Sequence, residues 1–261
     1  MRHKILLDTN VLIATSTYYV SRDLSVGVVH PFYEQSMELI EFLKENLAKR
    51  IGIVTRTVEE QAARALEGAV RAELKEKITD RAIDFESFSA IQNTCQKRLN
   101  DILAYLLREP VDQDVVRENS FVVGRMYDKL AEKVVELHLE SPAEMWTEAA
   151  AKRFRHIAHD IYKTQERKEN AQLINLIRKP VEHSDKWILS EAIYLSMLYQ
   201  RMETEYVAFY IASTDHHFSP YRFAGGIESR QVTERIKELF EIVCDWPQQI
   251  HDTVRTKIRE S

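Results

Sequence analysis

The stretch Ile5-Leu6-Leu7-Asp8-Thr9-Asn10-Val11-Leu12-Ile13 decides how the rest of the chain is read. Residues 4–7 read as a strand whose apolar run Ile5-Leu6-Leu7 is the pattern of burial on both faces of a parallel sheet. The run ends on a carboxylate. The same device returns over 207–213, where Val207-Ala208-Phe209-Tyr210-Ile211-Ala212-Ser213 leads into Thr214-Asp215. A charge beside a buried strand is costly unless something compensates it. Two strands that each deliver an aspartate at their C-terminal end point to one acidic site. It would lie at the edge where open α/β sheets place their ligands. Crowded carboxylates repel, and a hard divalent cation with oxygen ligands is the usual remedy.

Working outward, residues 31–49 predict a helix that Pro31 can start, with Phe32, Met37, Leu39, Ile40, Leu43 and Leu47 as its apolar stripe. Residues 51–54 predict a second strand. Thr57 is expected to cap the next helix, with Glu60 as its capping-box partner. Strand, helix, strand, helix is the pattern of a parallel sheet. The alternation then stops. Residues 61–180 show no strand pattern but long amphipathic stretches, roughly 61–109, 112–140 and 142–178, with Pro110 and Pro180 as stops. The expected organisation is an α/β domain over 1–60 and 181–261 with an all-helical insertion over 61–180. A separate helical domain is the alternative. The α/β pattern resumes with helices over 185–203 and 229–240 and a last strand over 242–244.

The bulk properties fit. A chain of 261 residues can bury a large core, and 6 Gly and 6 Pro leave room for long helices. With 30% charged and 44% hydrophobic residues it reads as a soluble globular protein. A net charge of −5 argues against a chain-wide nucleic-acid surface but not against a local one. The two cysteines, Cys95 and Cys244, lack metal-site spacing, so a reduced, cytoplasmic setting is expected. No apolar run reaches ~18 residues, so no membrane span is expected, and the start of the chain lacks a signal-peptide pattern.

Two further acids join the candidates. Asp185 shares a helical face with Ile188, Leu189 and Ala192, which points it at the sheet edge; a plain helix-start aspartate is the competing reading. After strand two, Glu59 or Glu60 lies in the first turn of a helix. Glu60 is favoured because small apolar residues at 62, 63 and 65 leave Glu59 freer to point away.

Taken in order, Leu7-Asp8-Thr9-Asn10-Val11-Leu12-Ile13, the glutamate after strand two, Asp185 with Ile188-Leu189 and Ala192, and Ser213-Thr214-Asp215 with Phe218 resemble the PIN-domain nucleases. The match covers about 3–60 and 181–247. The resemblance implies a three-layer α/β fold with a short parallel sheet of four or five strands flanked by helices. It implies hydrolysis of RNA phosphodiester bonds with Mg²⁺ or Mn²⁺. Asp8, Asp185 and Asp215 would be the metal ligands, Glu60 the fourth acid, and Asn10 and Thr214 the supporting polar groups. The helical insertion departs from the compact toxins of that family. A PIN-like module that binds nucleic acid or protein without cleaving, and a structure-specific DNA nuclease, are the alternatives.

Other chemistry is excluded or secondary. Asn10 stands where an aspartyl-phosphate phosphohydrolase wants its second aspartate, and no P-loop or dinucleotide motif occurs. His156 and His159 lack a third ligand, and His216 and His217 read as loop histidines. Residues 152–179 carry eight basic against three acidic residues. That makes Arg153, Arg155, Arg167 and Lys168 the expected grip on RNA phosphates, a solvated helix face being the competing reading. The insertion is also the expected surface for a homodimer or a protein partner.

Overall fold

The structure, a computed structural model, describes residues 2–20, 22, 31–80, 82–140, 183–215, 218 and 227–260. Its centre is a five-stranded parallel sheet flanked by helices, a three-layer α/β arrangement. Strand β1 (Arg2–Leu7) runs between β2 (Gly52–Thr55) and β4 (Val207–Ala212), in register Ile5 with Gly52 and Ile5 with Tyr210. Beyond β2 lies β3 (Leu107–Glu109), and beyond β4 lies β5 (Ile242–Asp245), giving the order β3-β2-β1-β4-β5. Ile5, Leu6 and Leu7 are wholly buried, as expected of a central strand. Each such side chain contributes roughly 1.5–3 kcal/mol relative to exposure.

Helix α1 (Thr9–Tyr19) follows β1 at once. It was not expected, because it carries no apolar stripe of helical period. It is buried nearly all round, at Val11, Leu12, Ala14, Thr15, Ser16 and Thr17. Three hydroxyls would be stranded there. Thr15, Ser16 and Thr17 instead donate to the carbonyls of Val11, Leu12 and Ile13, at 2.9, 2.6 and 2.9 Å. Helix α2 (Pro31–Glu45) buries Leu39, Ile40 and Leu43 as expected but ends at 45; Leu47, expected on the same stripe, lies in a 3₁₀ turn over Leu47–Lys49 and is exposed.

Helix α3 (Arg56–Glu73) buries Val58, Ala62, Leu66 and Val70, a four-residue repeat along one face. Its cap is Thr55, whose hydroxyl accepts from the Val58 amide at 3.4 Å, and not Thr57 as expected. Thr57 already lies inside the helix, so Glu60 is two residues too far along to close a capping box. After α4 (Lys75–Thr79) and α5 (Phe85–Ala104), β3 corrects a second expectation, since 61–180 was read as free of strands. Three residues at an edge are too short to show alternation.

Helix α6 (Gln113–Glu140) agrees with the amphipathic stretch read over 112–140. Helix α7 (His183–Met202) buries Ile188, Leu189 and Ala192 on one face as read from spacing. Helix α8 (Ile227–Phe240) precedes β5. Helix α9 (Pro247–Arg259) was not expected; it starts at Pro247, a first-turn position where the missing N–H costs nothing.

The chain divides into two compact units. The first comprises Met1–Pro110, Leu198–Thr214 and Asp245–Ser261; the second comprises Val111–Met197 and Asp215–Cys244. In the first, α1 packs against α2, α3 and α5, and α9 packs against α2 and β4. In the second, α6 packs against α8. Helices of the stretch 61–104 thus belong with the sheet, and the units part at other points than residues 60 and 181. Among the described residues, no helix is long and apolar enough to cross a membrane.

Candidate functional site

In the first unit, Asp8 stands at the carboxyl end of β1 and is only 4% exposed. Its backbone is extended, and its Oδ1 accepts from the Thr9 amide at 2.6 Å, which makes it the N-cap of α1. Its Oδ2 accepts from the Ser213 hydroxyl at 2.6 Å. Ser213 ends the neighbouring strand, so β1 and β4 are tied side chain to side chain at their carboxyl ends. The helix N-terminus and two donors together make this buried carboxylate tolerable. Asp8 is therefore a structural cap as well as a candidate ligand.

Asn10 and Thr214, read as supporting groups, meet directly: the Thr214 amide donates to Asn10 Oδ1 at 3.2 Å. Asn10 Nδ2 also donates to Ser213 Oγ at 3.4 Å. Thr9 donates its hydroxyl proton to Gln61 Oε1 at 2.9 Å, tying α1 to α3. Sequence reading passed over Ser213, Gln61 and Asp245. Asp245 closes β5 and repeats the Asp8 device, its Oδ1 accepting from the Trp246 amide at 2.8 Å while its carbonyl accepts from the Ser213 amide at 3.1 Å. Burial pushes its carboxyl pKa up, the Trp246 amide opposing. A carboxylate following each of the strands read over 207–213 and 242–244 was the signal available for finding it.

The two glutamates after β2 point elsewhere. Glu60 lies on the exposed side of α3, accepting from Arg56 Nε at 2.7 Å and Arg64 Nη2 at 2.9 Å. Arg56, and less strongly Arg64, hold its carboxyl below the usual range. Glu59 pairs with Arg108 of β3 at 2.8 Å.

In the second unit, Asp185 lies in the first turn of α7, and the Asp215 carbonyl accepts from the Phe218 amide at 3.1 Å. Both bear on one group. Tyr127 of α6 is 5% exposed, and burial drives its phenol well above the ordinary value, with Cys244, Asp185 and Asp215 adding to the rise. Both carboxylates thus act on the Tyr127 phenol through their charge. Glu191, also missed, is wholly buried on α7. Next to it, the Ser190 carbonyl accepts from Asn119 Nδ2 at 3.3 Å.

Among the described residues, no three His, Cys, Asp or Glu side chains form a metal-holding group by themselves. The donor chemistry nonetheless suits Mg²⁺ or Mn²⁺. Mg²⁺ keeps several waters and needs only one or two carboxylates, which the Asp185 and Asp215 pair supplies. Arg153, Arg155, Arg167, Lys168, His156, His159, His216 and His217 lie outside the described residues. No known protein family, curated protein or solved structure matches the chain.

Proposed function

We propose that the protein is a cytoplasmic, metal-dependent endoribonuclease of the PIN-like kind. The observation that carries this reading is the buried Asp8 carboxylate at the carboxyl end of β1, bonded to Ser213, two residues before Asp215 in the chain. A buried carboxylate is costly, and a divalent cation offsets that cost. Asp8, Asp185 and Asp215 would hold Mg²⁺ or Mn²⁺. The ion, when bound, supplies a Lewis acid for the scissile phosphate and a water of lowered pKa. The chain's own part is positioning. Ser213 and the Thr9 amide fix the Asp8 carboxylate, and Asn10 fixes the backbone at Thr214, one residue before Asp215. Glu60 is the proposed fourth acid. Its two arginine pairs are exposed, and exposed pairs of this kind are worth little, so they pose a small barrier to its recruitment. Residues 152–179 are proposed to hold the RNA backbone, with a homodimer or protein contact through the helical stretch as a further role. Two cysteines without metal-site spacing, Cys95 and Cys244, agree with a reducing compartment.

The test is cleavage of a labelled single-stranded RNA in Mg²⁺ or Mn²⁺. Cleavage that stops with chelator, and in Asp185→Asn and Asp215→Asn while both variants still bind the RNA, supports the reading. Cleavage that survives either substitution refutes it. RNA binding without cleavage in the unaltered protein, with either metal, would instead make it a binding module.

A further inference from the structure

At the amino end of β1, away from Asp8, the first unit holds a cavity of about 720 Å³. His3, on its wall, lies five residues before Asp8, about 16 Å at the rise of a strand. The volume falls within the range of small-molecule sites.

Its charges sort into compensated and uncompensated ones. Arg2 Nη1 meets Glu203 Oε2 at 2.6 Å. Lys4, 7% exposed, donates to the Arg50 carbonyl at 2.8 Å and sits 4.6 Å from the Tyr199 ring centroid. Tyr199 in turn donates to the Glu109 carboxylate. Burial pulls the Lys4 ammonium pKa down, and Glu109 opposes that fall. Two cations remain at the rim. Lys49 and Arg50 are exposed, and among the described residues neither has an acidic partner. Arg50 is held at φ 49° and ψ 47°, where it closes the 3₁₀ turn by donating its amide to the Leu47 carbonyl at 2.9 Å. Glycine would take this left-handed position without strain. Keeping a long cationic side chain there is the kind of local cost that accompanies function. The lining also includes the apolar side chains of Ile51, Leu107 and Ile258, beside the compensated charges already named.

We propose that this cavity binds an organic monophosphate of nucleotide size, its phosphate on Lys49 and Arg50 and its ring body against Ile51, Leu107 and Ile258. A phosphate monoester carries about −1.5 to −2 charge near neutral pH, which matches the two uncompensated cations. The arginine fork and the lysine point charge are both suited to phosphate oxygens. The site is independent of the proposed nuclease centre.

Isothermal titration of the full chain with AMP, adenosine and inorganic phosphate tests it. AMP should bind at least tenfold more tightly than adenosine or phosphate alone. Arg50→Gly and Lys49→Ala should each weaken AMP about tenfold, and Arg50→Gly should melt no lower than the unaltered protein, because glycine relieves the backbone. Asp8→Asn should bind AMP unchanged. The proposal is overturned if AMP binds no better than adenosine, or if both rim variants keep full affinity. It is also overturned if Asp8→Asn abolishes binding, which would put the nucleotide at the carboxyl edge.

Discussion

Asp8 combines two roles whose energetics oppose each other. As a cap it accepts from the Thr9 amide and the Ser213 hydroxyl, and charge-assisted bonds of this sort are worth about 1.5–3 kcal/mol each. As a buried charge it carries a desolvation cost that neutralisation would remove. The bonds should win. Asp8→Asn, which keeps the shape and one good acceptor, is expected to lower stability by about 1–2 kcal/mol in urea unfolding and to abolish cleavage. Ser213→Ala should cost a similar amount, since it leaves Oδ2 without its hydroxyl donor. A rise in stability for Asp8→Asn would show that repulsion from other carboxylates dominates at this edge. Asp245 makes the opposite case. Its folded-state pKa is raised by burial, so the folded protein holds that proton more tightly than the unfolded chain does. The penalty for ionising it is fully present above the folded pKa and vanishes below the unfolded value of about 3.9. Asp245→Asn should therefore raise Tm at pH 7, and the gain should shrink as pH falls toward 4. An equal gain at both pH values would exclude titration of Asp245 as its source.

At the scale of elements, β2 depends on a residue with no side chain. A Cβ added at Gly52 would stand 2.8 Å from Leu106 Cδ2 and 2.9 Å from Leu43 Cδ1. Both are the ends of leucine side chains that can yield, so Gly52→Ala should cost about 1–2 kcal/mol and leave the strand order intact. A loss below a few tenths of a kcal/mol would mean that α2 and the segment before β3 are loosely packed there. The elements legible in sequence share one property, apolar residues in a run or at a spacing that local sequence displays. Strands β1, β2 and β4 announced themselves as continuous apolar runs, and α7 by the spacing of Ile188, Leu189 and Ala192. Helix α1 escaped because it is buried nearly all round and pays for its hydroxyls by bonding them to its own carbonyls. Strand β3 escaped because three residues cannot display a period. Helix α9 was hidden behind Pro247, whose two meanings, stop and first turn, only the packing of Ile250 and Val254 separates. The site was legible where a strand ended in a carboxylate. It was less so where the partner was a neutral side chain, as with Ser213 and Gln61, because hydrogen-bond partners across strands leave no mark in local sequence.

For the whole molecule, the sequence reading divided the chain by element type, and the compact units divide it by packing. Residues 61–104 read as part of a helical insertion, yet α3 and α5 pack on α1 within the unit that holds most of the sheet. Amphipathic helices look alike whether they cover a sheet or one another, so the periodicity could not tell the two apart. If residues 152–179 grip RNA, replacing Arg153, Arg155, Arg167 and Lys168 with Gln should weaken binding and flatten its salt dependence. Each lost phosphate contact should lower the log–log slope by roughly 0.7 to 0.9. An unchanged slope would make that stretch a solvated face or a protein contact. Anomalous scattering from a crystal soaked in Mn²⁺ tests most directly whether Asp8, Asp185 and Asp215 serve one metal. One strong peak is expected, with the three carboxyl groups within about 5 Å of it, bound directly or through a water, given metal–oxygen distances near ~2.1 Å. A crystal with no peak there, or with any of the three carboxylates turned away from it, would refute the shared metal.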